Sequence, residues 1–360
     1  MFPSAIFCCA PSLAGSVASA AFDNEPLLEE LSPFMQVFYP SDGNWTQTPQ
    51  RWTIFEALTF AAALKPASVE DLSKIVLYAS DSNIPFLATG RGHGYSTSFG
   101  ALNDGLKIDL GFFSKTVVNA EENTLTIGGS VSFGDIMRPL SDAEKEIQIG
   151  SCPCVGMLGA TLSGGVGRYQ GLHGPILHAL QSVQLMTASG ELIIVSETQN
   201  ADLFWGLRGA GFNLGIVTEA TYQIYDLTNG GDVMSADFLF PASANVSFFE
   251  AIASFEALPP ESPFYVLNAY NSTLDQRKMF SFELTDIALA DRAAAFANSA
   301  VELFNATSGF DGLKLYANYA HGDEGLDAMY GAEKLPRLLE LKREWDPKNL
   351  FRFNNPLPVV

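Results

Sequence analysis

Short apolar runs, separated by turn residues, dominate the first two thirds of the chain. The run Leu58–Leu64 ends at Pro66, and Ser68 follows as a candidate helix N-cap with Asp71 at the capping-box position. Four apolar residues then fall on one helical face: Leu72, Ile75, Val76 and Ala79. The pattern predicts a strand and a helix, followed by a second strand at Ile84–Ala88 that runs into glycine-rich sequence.

The rest of the pattern divides the chain into further regions. Additional strands are predicted at Leu106–Leu110, Thr124–Ile127, Ala179–Thr187 and Glu191–Val195, the last two around a turn at Ser189-Gly190. From Thr228 to about Gly325 the sequence changes to Phe-rich strands and Ala-rich helical stretches, which predict a second domain covering the first. The tail Leu335–Phe353 returns to a helix followed by an Asp-Pro stop.

Composition and charge describe an ordered protein and exclude one class of partner. The chain has 360 residues, of which 47% are hydrophobic and 17% charged, and this predicts about two globular domains. Its net charge of −20 repels phosphate backbones, so nucleic acid is not an expected partner. No later apolar run reaches the ~18–20 residues of a membrane span, so no membrane partner is expected either.

The first 21 residues lack charge and end in small residues, a pattern typical of a cleavable secretory signal. The alternative is a disordered or misassigned start. Four N-glycosylation sequons favour export: Asn44, Asn245, Asn271 and Asn305. We therefore expect a secreted, extracellular protein.

Two glycine-rich segments carry the candidate chemistry: the first glycine loop (residues 89–100, TGRGHGYSTSFG) and the second glycine loop (residues 150–167, GSCPCVGMLGATLSGGVG). Glycine lets the backbone approach a flat or anionic ligand closely. His93 lies between two glycines, so a cofactor attachment is favoured over a loop imidazole that only bonds to backbone. It has no partner at metal-ligand spacing, and no metal site is expected.

Cys152 is the second candidate nucleophile. A small buried hydrophobe is the alternative for a free cysteine, but the surrounding glycines and Pro153 indicate a tight loop that exposes the thiol to a ligand. Cys154 is expected to point away and receives no role. Residues two apart make at best a strained disulfide, and a lone C-P-C lacks further zinc ligands. The glycines at 164–167 and 209–215 lack the strand and acidic residue of a nicotinamide-binding Rossmann motif.

Taken together, the motifs resemble the berberine-bridge-enzyme-like branch of the vanillyl-alcohol-oxidase flavoprotein superfamily, over residues ~50–227 and ~313–357. Five motifs carry the resemblance: GxGHxY (Gly90–Tyr95), GxCPxVGxxGxxxxGGxG (Gly150–Gly167), WGLRGAGxNxGIVT (Trp205–Thr218), YxNY (Tyr316–Tyr319) and DPxxxFR (Asp346–Arg352). The implied fold is α+β: a PCMH-type FAD-binding domain of two α/β subdomains plus a smaller antiparallel-sheet substrate domain with helices. The implied boundaries are 1–21 for the signal, 50–227 for the FAD domain, 228–325 for a shortened substrate domain, and 326–360 for a C-terminal segment that returns to the FAD domain.

The resemblance also implies a bicovalent FAD. His93 matches the histidine that bonds a methyl group of the flavin, and Cys152 matches the cysteine that bonds a neighbouring ring carbon. The backbone N–H groups of Gly90 to Gly94 would then hold the pyrophosphate. The implied cofactor-binding set is Gly90, Arg91, Gly92, His93, Gly94, Cys152, Val155, Gly156, Gly159, Gly164, Gly165, Gly167, Gly215, Ile216 and Val217.

The implied catalytic residues are Tyr95 beside the flavin and the substrate-side Tyr316 and Tyr319. The base would lie on the substrate domain, where Glu283 in the segment MFSFEL is the candidate and an exposed acid on an alternating strand is the alternative. Valine at the position of Val155 accompanies oxygen reactivity in the family. Two departures are Arg91 for a usual glycine and Gly94 for a usual serine. A third is the 228–315 segment, which is about half the usual length of the family's substrate domain.

These implications predict a secreted, monomeric FAD-dependent oxidase. It would abstract a hydride from a carbinol or related carbon of a carbohydrate or specialised metabolite and reduce O₂ to H₂O₂. Two alternatives remain: a flavin-bearing accessory protein without activity, and an FAD-dependent dehydrogenase with a non-oxygen acceptor.

Overall fold

The computed structural model describes residues 27, 31–48, 50–53, 57–94, 96–167, 169–231, 315–322 and 324–359. These residues form an α+β fold with a mixed sheet and an antiparallel sheet, which confirms the predicted fold class. The interior of the predicted second domain, residues 232–314, lies outside the described residues, as do the sequons at Asn245, Asn271 and Asn305.

The mixed sheet is built around the predicted strand–helix–strand unit. Its strands are β1 (Gln36–Phe38), β2 (Phe60–Lys65), β3 (Phe86–Thr89) and β4 (Gly105–Asp109). They lie in the order β1-β2-β4-β3, with β1 antiparallel to β2 and the other neighbours parallel. Helix α1 (Val69–Asp81) connects β2 to β3. The carboxyl ends of β3 and β4 therefore meet at one edge, from which the first glycine loop emerges.

The second sheet is antiparallel throughout. Its strands are β5 (Thr116–Asn119), β6 (Thr124–Gly128), β8 (Leu180–Met186), β9 (Leu192–Ser196) and β10 (Ile216–Gln223), in the order β5-β6-β10-β8-β9. A separate two-stranded pair joins β7 (Lys145–Glu146) to β11 (Tyr225–Asp226). The predicted hairpin around Ser189-Gly190 is confirmed, because β8 pairs with β9 and Thr187 N donates to Glu191 O at 2.9 Å.

Helices cover these sheets and complete two apolar cores. They are α2 (Phe133–Asp142), α3 (Met157–Thr161), α4 (Gln170–His173), α5 (Ile176–Ala179), α6 (Ala201–Ala210), α7 (Leu326–Tyr330) and α8 (Leu335–Trp345). One core fills the space between α1 and the mixed sheet, and the other lies against the antiparallel sheet. Among the described helices, none has the length and hydropathy that a bilayer crossing requires.

The start of α1 shows a variation on the predicted cap. Ser68 Oγ accepts a hydrogen bond from Asp71 N at 3.1 Å, as an N-cap serine should. The Asp71 carboxylate, however, accepts from Ala67 N and from Ser32 N, at 3.1 and 2.9 Å, instead of closing a capping box on Ser68. Asp71 therefore ties the N-terminal segment to the helix, a contact with no local sequence signal.

Helix α8 confirms the predicted tail and carries a buried ion pair. Lys342 and Asp346, here called the C-terminal staple, are both fully buried, and Lys342 Nζ lies 2.6 Å from Asp346 Oδ2. The ammonium also donates to the carbonyl oxygens of Asn213 and Phe351, at 3.1 and 2.8 Å. The carboxylate accepts from Leu350 N and Phe351 N. The staple thus joins α8, the turn that follows it, and the segment that precedes β10.

Candidate active site

The first glycine loop is fixed by close backbone contacts on both sides. A methyl group at Gly90 would lie 2.7 Å from the carbonyl oxygen of Gly129, at the end of β6. Gly92 has φ of +73°, and a methyl group there would lie 2.6 Å from the carbonyl oxygen of Gln50. Trp52 N donates to Gly92 O at 3.0 Å. Only glycine allows the loop to lie this closely between the N-terminal segment and the second sheet.

The same loop leaves hydrogen-bond donors open. In the part of the chain that the structure describes, no acceptor receives the amide hydrogens of Arg91, Gly92, His93 or Gly94. Beside them, the guanidinium of Arg51 lies 4.6 Å from the Phe99 ring centre, and its Nε and Nη2 atoms are buried without a described partner. Burial lowers the pKa of Arg51. Native proteins pair most buried donors, so this set indicates a place for an anionic ligand.

Arg91 connects the two glycine loops. Its Nε donates to Ser130 O at 2.7 Å, and its guanidinium pairs with Asp135 at the start of α2. A methyl group at Gly156 would lie 3.4 Å from the Arg91 side chain, so the loops touch at this point. Burial opposes ionisation of Asp135, but hydrogen bonds from Ser132 and the Arg91 charge lower its pKa overall. Arg91, which stands where the family usually has glycine, therefore links the two loops.

His93 lies half-buried in the first loop. Its Nδ1 is 3.1 Å from the carbonyl oxygen of Arg91, and that oxygen can only accept, so Nδ1 carries the proton. Burial, and to a smaller extent the Arg91 charge, lowers its pKa, although the bond to the Arg91 carbonyl opposes this. The ring is therefore neutral near pH 7, which is the nucleophilic form.

The two thiols of the second loop lie together on the surface. Cys152 Sγ and Cys154 Sγ are 2.8 Å apart, and both residues are exposed. The prediction that Cys154 points away is wrong. The reason is the turn at Cys152–Val155, in which Val155 N donates to Cys152 O at 3.4 Å and both side chains project to the same side.

Tyr316 packs directly on the second loop. Its hydroxyl oxygen accepts hydrogen bonds from Gly165 N, Val166 N and Asn318 Nδ2, at 3.0, 3.1 and 2.7 Å. Asn318 also donates to Ala160 O. The ring of Tyr319 stands perpendicular to that of Tyr316, with centres 5.0 Å apart, and Tyr319 is 68% exposed. The structure therefore brings the YxNY motif to the second loop, with Tyr316 inside and Tyr319 outside.

The remaining predicted positions divide into three groups. Val155, Gly156, Gly159 and Gly164 are half-buried in the second loop, where Gly165 and Gly167 are buried. Gly215, Ile216 and Val217 are buried at the start of β10, where Val217 O would lie 2.9 Å from a methyl group at Gly129. Tyr95 and Glu283 lie outside the described residues, so their predicted roles stay predictions.

Asn355 supports the site, and no motif or local pattern in the sequence predicts this role. Its Oδ1 accepts from Ser96 Oγ at 2.8 Å, and its backbone N donates to Ser98 Oγ at 3.0 Å. Its Nδ2 donates to Ala317 O at 3.2 Å. One side chain thus joins the residues after His93 to the YxNY motif. Arg51 was missed in the same way.

These groups fit an FAD. Open amides and an unpaired guanidinium suit a pyrophosphate, and a neutral imidazole and a thiol suit covalent attachment to a flavin ring. Within the described residues no group of three His, Cys, Asp or Glu side chains could hold a metal ion.

Comparisons with known proteins agree with this assignment. The family described as "FAD binding domain" matches residues 60–196, and "Berberine and berberine like" matches residues 315–358. The FAD-linked oxidoreductase tazG of Aspergillus terreus is 34% identical, over 91% of this chain and 93% of tazG. The FAD-linked oxidoreductase azaL of Aspergillus niger is 47% identical over 73% of this chain, but the match spans only 57% of azaL.

Solved structures show the same fold. The BBE-like 1 variant D396N of Physcomitrella patens has a TM-score of 0.72 at 17% identity, covering 93% of this chain and 98% of its own. The glucooligosaccharide oxidase of Acremonium strictum has a TM-score of 0.50 at 29% identity, over 53% of this chain and 41% of its own. The chain therefore belongs to the FAD-linked oxidoreductases that combine an FAD-binding domain with a berberine-like C-terminal segment.

Proposed function

We propose that the protein is an oxidase that carries FAD covalently through His93 and Cys152. The observation that carries this proposal is the Arg91 link, which joins the loop of the imidazole to the loop of the thiol. The similarity to the Acremonium strictum enzyme, which has a 6-S-cysteinyl, 8α-N1-histidyl FAD, supports the same pair of attachments.

The open donors of the first loop would hold the cofactor's pyrophosphate. Backbone amides and one buried guanidinium supply positive potential locally, which matters in a chain with a net charge of −20. Gly90 and Gly92 allow that backbone to come close, since a side chain at either position would meet a carbonyl oxygen.

When bound, FAD would take a hydride from a hydroxyl-bearing carbon of a carbohydrate or specialised metabolite and pass the electrons to O₂. The chain must supply a base for the hydroxyl proton, which contributes roughly 10²–10⁴-fold to such reactions. Tyr316 is poorly suited, because its oxygen already accepts three N–H groups. We assign it to positioning the second loop, and we assign the base to Tyr95 or Glu283.

Intact mass and absorption of the denatured protein test the attachment. We expect a yellow denatured protein heavier by one FAD. His93→Ala and Cys152→Ala should each remove one bond, and the double variant should release the flavin entirely. His178→Ala, an exposed histidine outside the two loops, is the matched control. A colourless pellet and no adduct on either side chain would exclude covalent attachment.

Peroxide formation tests the reaction. Steady-state H₂O₂ release with a panel of oligosaccharides and alcohols should identify a substrate. Val155→Leu should slow flavin reoxidation in air if Val155 admits oxygen. Flavin-loaded protein that is inactive on the whole panel would favour the accessory protein, and slow reoxidation of the wild type would favour the dehydrogenase.

We also propose that the protein is exported and glycosylated. Asn44 is exposed in the described structure, and a sequon can be glycosylated only where it is accessible. Enzymatic deglycosylation of protein recovered from culture medium should lower its mass, and Asn44→Gln should remove one glycan. Full-length, unglycosylated protein retained in cells would contradict export.

A further inference from the structure

The paired thiols of the second loop have a chemistry that the oxidase proposal leaves unused. Only Cys152 is needed to bind a flavin, yet Cys154 Sγ lies 2.8 Å from Cys152 Sγ. Both residues are exposed, so a small molecule in solvent can reach either sulfur. Thiols that are close together and accessible are the arrangement in which a disulfide forms by exchange.

The backbone keeps these thiols together. Gly134 N donates to Pro153 O at 2.8 Å, and Phe133 N donates to Val155 O at 3.0 Å, so two points of the turn are bonded to the start of α2. These bonds hold the backbone on either side of Cys154, and the turn thereby keeps the two Cα positions close enough for the sulfurs to meet.

Charge also distinguishes the two sulfurs. The hydrogen bond with Cys152, followed by burial, raises the pKa of Cys154, while the nearby Arg91 charge opposes the rise. Cys154 therefore holds its proton more firmly than an ordinary thiol does. Because a thiolate is the attacking form, the raised pKa disfavours Cys154 as the sulfur that attacks first.

We propose that Cys152 and Cys154 form a reversible disulfide, and that Cys154 thereby controls whether the Cys152 sulfur can bond to the flavin. The second part rests on the proposed flavin attachment. The oxidant is a small-molecule disulfide such as glutathione disulfide. Cys152 attacks it, its S–S bond breaks, and one glutathione thiol leaves. Cys154 then displaces the second glutathione and closes the ring. The two protein thiols lose two electrons and two protons, and one glutathione disulfide becomes two glutathione thiols.

Ring size indicates that this disulfide is labile. Bridging residues i and i+2 strains the ring, and strained, exposed disulfides have more oxidising potentials and are readily reduced. The closed form blocks the Cys152 sulfur, and reduction returns it. Cys154 is therefore a regulatory residue and needs no contact with substrate.

A redox titration of the full-length protein tests the couple. After equilibration in glutathione buffers, acid quenching, alkylation and trypsin digestion, both cysteines lie in one peptide, Glu146–Arg168, between Lys145 and the next basic residue. We expect three species of this peptide: doubly alkylated, flavin-bound, and a closed form about 2 Da lighter than the unalkylated peptide, because two hydrogens are lost. The closed form should increase with glutathione disulfide and disappear in Cys154→Ser.

The fraction of protein with flavin on Cys152 tests whether Cys154 controls that attachment. Cys154→Ser should carry a higher fraction of flavin on Cys152 than the wild type produced in the same oxidising medium. Cys152→Ser should carry flavin through His93 alone. Equal flavin fractions in wild type and Cys154→Ser would overturn the proposal. So would a peptide that forms only mixed glutathione disulfides, or bridges to the N-terminal peptide that holds Cys8 and Cys9.

The two proposals fail in different ways. Ring closure is read from the peptide whether or not flavin is present. A closed form in a protein that never acquires flavin would contradict the oxidase proposal and retain the thiol couple. Flavin on Cys152 without a closed form would contradict the thiol couple and retain the oxidase proposal.

Discussion

The C-terminal staple and Arg51, which lies beside the first glycine loop, both bury positive charge, but of the two only the staple has a full set of described partners. Lys342 Nζ has one carboxylate and two carbonyl oxygens, and Asp346 has two backbone amides in addition. Arg51, beside the loop, has two buried nitrogens without a described partner. Buried polar groups that are paired hold the structure in one arrangement, whereas an unpaired buried group requires an explanation, which for Arg51 we propose to be the anionic cofactor.

The largest expected effect comes from breaking the staple. Lys342→Met leaves the Asp346 carboxylate buried without a counter-charge, which costs about 3–5 kcal/mol. Urea unfolding should show this loss. Lys348→Met is the control, because Lys348 is exposed and its pair with Asp81 is worth about 1 kcal/mol or less. Equal stability of the two variants would mean that the staple contributes nothing.

The next largest effect is a pH dependence of stability that comes from a third buried cation, Lys107. Lys107 Nζ donates to Thr48 Oγ1 at 3.1 Å, and burial lowers its pKa from 10.5 to about 8, although the charge of Asp109 opposes this. The unfolded chain therefore binds more protons than the folded one between pH 8 and 10.5, and stability should rise through that window. The difference corresponds to about 3 kcal/mol at most.

The free energy of unfolding of wild type minus that of Lys107→Met, followed from pH 7 to pH 10.5, isolates this contribution. Subtraction removes other groups that titrate in the same range. A difference that is flat or falls with pH would show that burial does not lower the pKa of Lys107.

A substitution in the first glycine loop should lower the free energy of unfolding less than loss of the staple does, but it should lower the flavin content more. Gly90→Ala places a methyl group 2.7 Å from the Gly129 carbonyl oxygen, and overpacking of this kind costs about 1–3 kcal/mol. Gly43→Ala is the control, since nothing lies within 4 Å of that position. We expect Gly90→Ala to lose most of its bound flavin, measured as absorbance per protein. Wild-type flavin content would show that the close approach is not required.

Replacing the unpaired cation should have the smallest effect on stability, and in the opposite direction. Arg51→Met removes a buried charge without a described partner, so the free energy of unfolding should stay the same or rise, by about 1 kcal/mol at most. Flavin content should nevertheless fall several-fold if the guanidinium holds the pyrophosphate. Arg337→Met, at an exposed ion pair with Asp202, should leave flavin content unchanged. A variant that is less stable yet fully flavin-loaded would make Arg51 a structural residue.

The sequence allows prediction of those features that a local pattern of residues determines. Ser68, the apolar face of α1 and the β8–β9 hairpin follow from periodicity and caps, and all are present. The two glycine loops are also predictable locally, because a histidine and a cysteine each lie within a glycine-rich run. The bond between Ser96 and Asn355 joins residues 259 positions apart, and no local signal announces it. Cys154 was misjudged because one turn decides where its side chain points.

Asn355 also sets an order of events during biosynthesis. A ribosome delivers Ser96 first, Ala317 much later, and Asn355 last of the three, so the hydrogen bonds that unite them cannot close until that asparagine has left the exit tunnel. Until then the imidazole-bearing loop and the tyrosine pair lack their common tether. The contact between these two segments therefore waits for a residue made 259 positions after Ser96.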